Sequence, residues 1–270
     1  MYKTLIILLL FILLLPLKSE NLRVVSLAPA LTEIICSLGG EKYLVGRCSA
    51  CDYPESVKAL PEAGRFGIPE LERIIKLRPT WVIGNDFMNN NIAKKLRELK
   101  IEVNLQQINT PEDYLKWVQL AGRKLNLPEQ AAKLIEQFKV QQKVLNSFSP
   151  HKLKVLWVVN AKPLMAAGPG SLPDRSLELM QLENAAGKVD AAYFKCAPEW
   201  LLSHQIDLII WGVPEKIPAQ NRIWKNVPAV QKNAVIYHDV YDPVTRPGPR
   251  FMQALIELRH RIDKLGSSKP

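Results

Sequence analysis

The feature that most constrains this chain is an alternation of short apolar runs with amphipathic stretches, broken once by two helices in succession. Residues 23–27 read as a buried strand, 31–38 as a helix stopped by Gly39-Gly40, and 43–46 as a second strand, with Ala28-Pro29 as the break before the helix. A strand, helix and strand so closely spaced make the unit from which parallel sheets are built. The alternation continues with helix 69–77, strand 81–84, helix 92–99 and strand 102–105. Residues 111–125 and 128–148 then read as adjoining helices. On the second, Ala131, Leu134, Ile135, Phe138, Leu145 and Phe148 share one face. At about 1.5 Å per residue that helix is roughly 30 Å long, enough to cross from one lobe to another. Strands at 154–159, 207–211 and 234–238, with helices at 176–182, 198–203 and 250–265, restore the alternation.

The two halves echo each other. Residues 71–84 match 198–211 in apolar pattern: an acid at a helix start, an amphipathic turn or two, then a buried strand, with Glu72 and Glu199 at matching places. The expected organisation is an N-terminal lobe over 20–125, a bridging helix over 126–149 and a C-terminal lobe over 150–270. A cleft between such lobes is the default place for a ligand.

Composition narrows the function. With 47% of its 270 residues hydrophobic, the chain has ample material for a core. Its 36 Lys and Arg exceed its 26 Asp and Glu by ten, but they are scattered, often at helical spacing with Glu, so they read as a solvated surface and not as a nucleic-acid footprint. The apolar run 5–15, behind Lys3 and ahead of Pro16, is too short for a membrane span and fits a secretory signal peptide over 1–19. No Cys follows at lipoprotein spacing, so a free periplasmic protein is expected.

That compartment permits Cys36, Cys48, Cys51 and Cys196 to pair, in three possible connectivities. Cys48 and Cys51 have redox or metal-ligand spacing, but no second pair accompanies them, and His151, His204, His238 and His260 stand alone. A local disulfide, or small residues packed near a turn, are the plainer readings, and no metal site is expected. Nucleophile elbow, phosphate loop and dinucleotide fingerprint are all missing; Gly168-Pro169-Gly170-Ser171 is Gly-rich but lacks the phosphate loop's Lys. The expectation is a binding protein without catalytic residues or a cofactor, acting as a monomer.

Several motifs carry a family resemblance. They are Arg-Val-Val-Ser-Leu-Ala-Pro-Ala-Leu-Thr-Glu at 23–33, Cys-Asp-Tyr-Pro at 51–54 and Glu-Arg-Ile-Ile-Lys-Leu-Arg-Pro at 72–79. In the second half come Ala-Gly-Pro-Gly-Ser at 167–171, Glu-Asn-Ala-Ala-Gly at 183–187, Val-Pro-Ala-Val at 227–230 and Thr-Arg-Pro-Gly-Pro-Arg at 245–250. In order and spacing these resemble the periplasmic substrate-binding proteins of ABC importers for cobalamin, haem and ferric siderophores, over roughly 22–264, with the cobalamin branch the most similar. The resemblance implies a class III fold, α/β with two Rossmann-like lobes joined by a single long helix. It also implies little closure motion and delivery of a cobalamin or related corrinoid to a membrane permease.

It implies site residues as well. Glu72 and Glu199 match acids that dock on arginines of two permease subunits. Ser26, Ala28, Pro29, Asp52, Tyr53, Phe66, Asn85, Asp86, Phe87, Gly168, Ser171, Tyr193, Trp211, Tyr241, Asp242 and Arg246 match ligand-cleft positions. The chain departs from the best-known cobalamin binder at Ala50, where that protein has a stacking tyrosine, and at Phe66 and Asn85, where it has tryptophans. Haem or a ferric siderophore is the alternative ligand, for which Tyr53, Tyr193, Arg65 and Arg246 supply axial or anion-binding groups.

Overall fold

The structure, a computed structural model, describes residues 22–85, 90–217, 221–237 and 243–267. The expected leader, and with it any cleavage site, lies outside the described residues. Packing divides the chain into two compact units, one of residues up to Thr32 with Gly40–Gln106, the other of Glu33–Gly39 with residues from Gln107 onward.

The first unit begins with β1 (Val24–Ser26), α1 (Pro29–Ser37) and β2 (Leu44–Arg47). A two-stranded hairpin, β3 (Gly64–Arg65) with β4 (Ile68–Pro69), precedes α2 (Leu71–Lys76), β5 (Trp81–Gly84), α3 (Asn90–Glu98) and β6 (Glu102–Leu105). The sheet order is β2-β1-β5-β6, and every pairing is parallel. Val25, Leu27, Ile74, Val82, Ala93, Leu96 and Val103 form its buried core. Pro29 opens α1 where a break was expected, because the first turn of a helix has no use for the N–H that proline lacks. The helix expected over 69–77 is shorter at its start, since Pro69 is claimed by the hairpin.

The second unit opens with two helices, α4 (Pro111–Lys124) and α5 (Pro128–Ser147). Thr110 caps α4: its Oγ1 accepts from the Asp113 amide at 3.2 Å while the Asp113 carboxylate accepts from the Thr110 amide at 3.2 Å, satisfying two donors that the helix leaves free. The helices are fastened by Tyr114 stacked on Phe138, ring centroids 4.6 Å apart. Thus residues 107–125, expected to close the N-terminal lobe, pack in the second unit.

There follow β7 (His151–Ala161), β8 (Leu164–Ala167), α6 (Leu172–Leu179), β9 (Leu182–Asn184), β10 (Tyr193–Lys195), α7 (Pro198–Ser203), β11 (Leu208–Trp211), α8 (Pro228–Gln231), β12 (Val235–Tyr237) and α9 (Phe251–Ser267). The path β10-β8-β7-β11-β12 carries β9 as a further partner of β7. The pairs β9–β7, β7–β11 and β11–β12 are parallel, while β8 runs antiparallel to both neighbours. The helix expected over 176–182 lies earlier because Ser171 caps it and Pro173 sits in its first turn, which leaves Leu182 free to enter β9.

The parallel core β9-β7-β11-β12 repeats β2-β1-β5-β6 in order and direction. α1 lies between β1 and β2 in sequence as α6 lies between β8 and β9, and α2 leads into β5 as α7 leads into β11. The echo read in the sequence is therefore a repeat of topology. The expected α/β class with two parallel-sheet lobes is the class observed.

Candidate ligand-binding rims

In parallel α/β sheets, ligands are met by the turns that follow the carboxyl ends of the strands. In the first unit those turns carry most of the residues singled out by sequence. Ser26 ends β1 and is fully buried; its hydroxyl donates to the Ala28 carbonyl at 3.3 Å and receives the Thr32 hydroxyl at 2.8 Å. Ala28 and Pro29 are buried beside it. These three shape the turn from within, and the surface they support is the segment after β2.

That segment is held by a buried arginine. Arg47 Nη1 donates to the carbonyls of Cys48 at 3.1 Å and Ser49 at 3.3 Å, while Nη2 donates to the Lys58 carbonyl at 3.1 Å and pairs with Glu62 at 3.2 Å. One guanidinium thus fixes both ends of the loop that presents half-buried Asp52 and exposed Tyr53, whose side chain is 46% accessible. Phe66 stands at the turn of the β3–β4 hairpin, 42% exposed. Gly67, at φ 75, supplies the left-handed residue such a turn requires. The hairpin is tied to the β2 end by the Ser49 amide, which donates to the Gly64 carbonyl at 2.9 Å. Asn85 follows β5 half-buried; Asp86 and Phe87 lie outside the described residues.

In the second unit the turn between β8 and α6 is locked by four hydrogen bonds. Ser171 Oγ donates to the Gly168 carbonyl at 2.8 Å and accepts from the Asp174 amide at 3.2 Å. The Asp174 carboxylate accepts from the Gly170 amide at 2.8 Å and from Asn184 Nδ2 at 2.8 Å. Gly168 can carry no side chain, because a Cβ there would overlap the Ala191 carbonyl oxygen. Gly168 and Ser171 therefore act through the backbone they rigidify. Asp174 and Asn184 complete the lock; the first was not singled out by sequence, and the second only as part of a motif.

Tyr193 sits beside this turn, opposite Ala167 in the sheet and 48% exposed. Burial of part of the ring raises its phenol above the usual tyrosine range, opposed by a hydrogen bond to the Leu172 backbone. Trp211, expected to face ligand, is 2% exposed and packs edge-on against Trp224 at 5.3 Å, while its indole N–H donates to the Glu215 carbonyl. It also borders a cavity of about 300 Å³ lined by Asn160, Lys162, Lys216 and Asn221.

Arg246 is likewise buried, its Nη1 3.9 Å from Glu33, which is 2% exposed. Arg250 grips the same carboxylate from two sides, Nε to Oε2 at 2.9 Å and Nη2 to Oε1 at 2.6 Å. The Arg-Pro-Gly-Pro-Arg segment thus anchors α1, a role that sequence did not suggest. Tyr241 and Asp242 lie outside the described residues.

Glu72 and Glu199 are both exposed, and each is the second residue of a six-residue helix. One turn on, each helix exposes an apolar residue, Ile75 on α2 and Leu202 on α7, while Ile74 and Leu201 face the core.

The profile of the periplasmic binding protein family matches residues 24–241, from β1 to beyond β12. The chain belongs to that family. Periplasmic binding proteins are non-enzymatic solute carriers. The vitamin B12-binding protein of Vibrio parahaemolyticus is 26% identical over 253 residues, covering 90% of this chain and 90% of that protein. The high-affinity heme uptake system protein IsdE of Staphylococcus aureus (strain Newman) is 26% identical over 234 residues, covering 81% of this chain and 79% of that one. Among solved structures, the periplasmic heme binding protein HutB of Vibrio cholerae shares the fold with a TM-score of 0.78 at 24% identity, over 90% of this chain and 99% of that one. Among the described residues no helix is long and apolar enough to cross a membrane.

Proposed function

We propose that this periplasmic binding protein delivers a metal-bearing tetrapyrrole, cobalamin or a related corrinoid, to the permease of an ABC importer. The observation that carries the reading is the set of exposed aromatics on held segments: Tyr53 on the loop after β2, Phe66 on the hairpin tied to that loop, and Tyr193 where β10 begins, opposite the carboxyl end of β8. A corrin is a large flat ring edged with amides. Rigid aromatic faces gain contact with it at little entropic cost, and neighbouring Asp52, Asn85 and backbone groups meet its edge. Glu72 and Glu199, alike in helix position and exposure, serve as paired contacts for two basic sites on the permease, and Ile75 and Leu202 give each contact an apolar flank.

Haem is the second reading, favoured by the exposed phenol of Tyr53, a group able to ligate ferric iron, and by the haem-binding relatives. Titration calorimetry with cyanocobalamin and with haemin separates the two. The corrinoid reading expects one-to-one saturation by cyanocobalamin with submicromolar affinity, more than about 8 kcal/mol, unchanged in Tyr53→Phe. Saturation by haemin alone, with a visible spectrum that changes in Tyr53→Phe, replaces it with the haem reading.

A further inference from the structure

Cys48 and Cys51 lie at the carboxyl end of β2, and nothing in the proposed ligand chemistry uses them. Their sulfur atoms are 3.1 Å apart, and the Cys51 amide donates to the Cys48 carbonyl at 3.0 Å, so a tight turn already holds the two side chains face to face. A disulfide needs an S–S separation of about 2.05 Å, about 1 Å less than the distance at which the turn already holds the two sulfurs. We propose that Cys48 and Cys51 form an intrachain disulfide in the mature protein when the chain folds in an oxidising compartment, and that this bond fixes the backbone that presents Asp52 and Tyr53.

The surroundings accept the bond without loss. As thiols, each sulfur is a weak donor with few acceptors: the Cys51 thiol reaches the Ser26 carbonyl only at 3.9 Å, and that carbonyl already receives the Cys48 amide at 2.9 Å. Oxidation therefore strands no buried acceptor. Thr32 Oγ1, 3.0 Å from Cys51 sulfur, retains the Ser26 hydroxyl at 2.8 Å and the Ala28 carbonyl at 3.2 Å as partners.

The two sulfurs differ in reactivity. Donation from the Cys51 thiol lowers the Cys48 pKa against the opposing effect of burial, with backbone amides and the Arg47 charge adding to the lowering; burial raises that of Cys51. In the open loop the thiolate of either residue can begin the exchange, for example that of Cys48. It displaces one thiolate from a disulfide oxidant to give a mixed disulfide. Cys51 then loses its proton and attacks the Cys48 sulfur, expelling the second thiolate. The pair gives up two electrons and two protons, and the oxidant is reduced to two thiols. Both cysteines are 0% exposed, so this exchange takes place while the loop is open during folding. Once closed, the bond is shielded from reductant, which makes it structural.

The test reads thiols and is independent of the ligand. Full-length chain carrying its leader is recovered from the periplasm of an expressing bacterium, alkylated in denaturant and mapped by peptide mass. Two of the four cysteines are expected to be alkylated, Cys36 and Cys196, with Cys48 and Cys51 in one peptide 2 Da lighter than its reduced form. Native protein is expected to resist a phosphine reductant that opens the bond readily in denaturant, and amide exchange over 49–53 is expected to slow at least tenfold relative to the reduced protein. Alkylation of all four thiols, both there and after refolding with oxidised glutathione, overturns the proposal, as does pairing of Cys48 or Cys51 with Cys36 or Cys196. The wild-type chain supplies every arm, so no variant need fold.

Discussion

Replacing Arg250 with alanine isolates the anchor of α1. In the native protein Glu33 is 2% exposed and takes two charge-assisted hydrogen bonds from Arg250, at 2.9 and 2.6 Å. Arg246 Nη1 approaches the carboxylate only to 3.9 Å, beyond hydrogen-bond reach. Arg250→Ala therefore leaves a buried carboxylate with distant compensation, a change that typically costs about 3–5 kcal/mol. The Arg250 side chain is itself 30% accessible, so water can partly replace it, and the lower end, about 3 kcal/mol, is expected. For a chain of this size about 2–4 °C is lost per kcal/mol, so the melting temperature should fall by about 6–12 °C. Urea denaturation followed by circular dichroism measures the loss directly. The double variant Glu33→Leu with Arg250→Met removes that ion pair and should recover part of the loss, less the cost of taking the carboxylate away from buried Arg246. A loss below about 1 kcal/mol in the single variant refutes the anchoring argument.

Gly168→Ala places a methyl against the Ala191 carbonyl oxygen, and displacing backbone on a hydrogen-bonded turn should cost at least about 1–3 kcal/mol in urea denaturation; a loss within error would mean that the turn yields freely. Burial pushes the Cys196 thiol up to about 12 from 9.0. The folded state then holds a proton that the unfolded state releases, so stability should fall as pH rises from about 9 towards 12, and Cys196→Ala should flatten that decline in a pH series of melting curves. The double variant Glu72→Ala with Glu199→Ala should keep its melting temperature and its ligand affinity yet fail to stimulate the ATPase of its reconstituted importer; normal stimulation would remove these acids from docking.

Much of the fold was legible because parallel strands buried on both faces are near-continuous apolar runs. The strands expected at 81–84 and 102–105 are β5 and β6 to the residue, and the matched segments 71–84 and 198–211 fall on topologically equivalent elements. Two-residue strands such as β3 and β4 carry no periodicity, and the hairpin that lifts Phe66 is specified by Gly67 and by hydrogen bonds to the β2 end. At the rims, sequence indicated which turns matter better than what each residue does there. Ser171, Gly168 and Trp211 have the residue types a ligand site uses, but a cap, a close backbone approach and a tryptophan pair are decided by neighbours distant in sequence. Arg47 and Asp174 went unnoticed because a charged side chain in a loop looks solvated until its buried partners are known.

The grip of Arg250 on Glu33 also bears on the order in which the chain can fold as it emerges, amino end first. The sheet of the first unit is complete in sequence once β6 has been released, and β1, β2, β5 and β6 can pair at once. The latter half of helix α1, Glu33–Ser37, belongs to the other unit, and the arginine that anchors it arrives 217 residues later. Until that moment the carboxylate of Glu33, 2% exposed in the finished protein, lacks its Arg250 partner. A chain stalled or clipped before residue 250 would carry an assembled sheet and a helix α1 without its arginine anchor, the kind of incomplete species that chaperones bind and proteases clear.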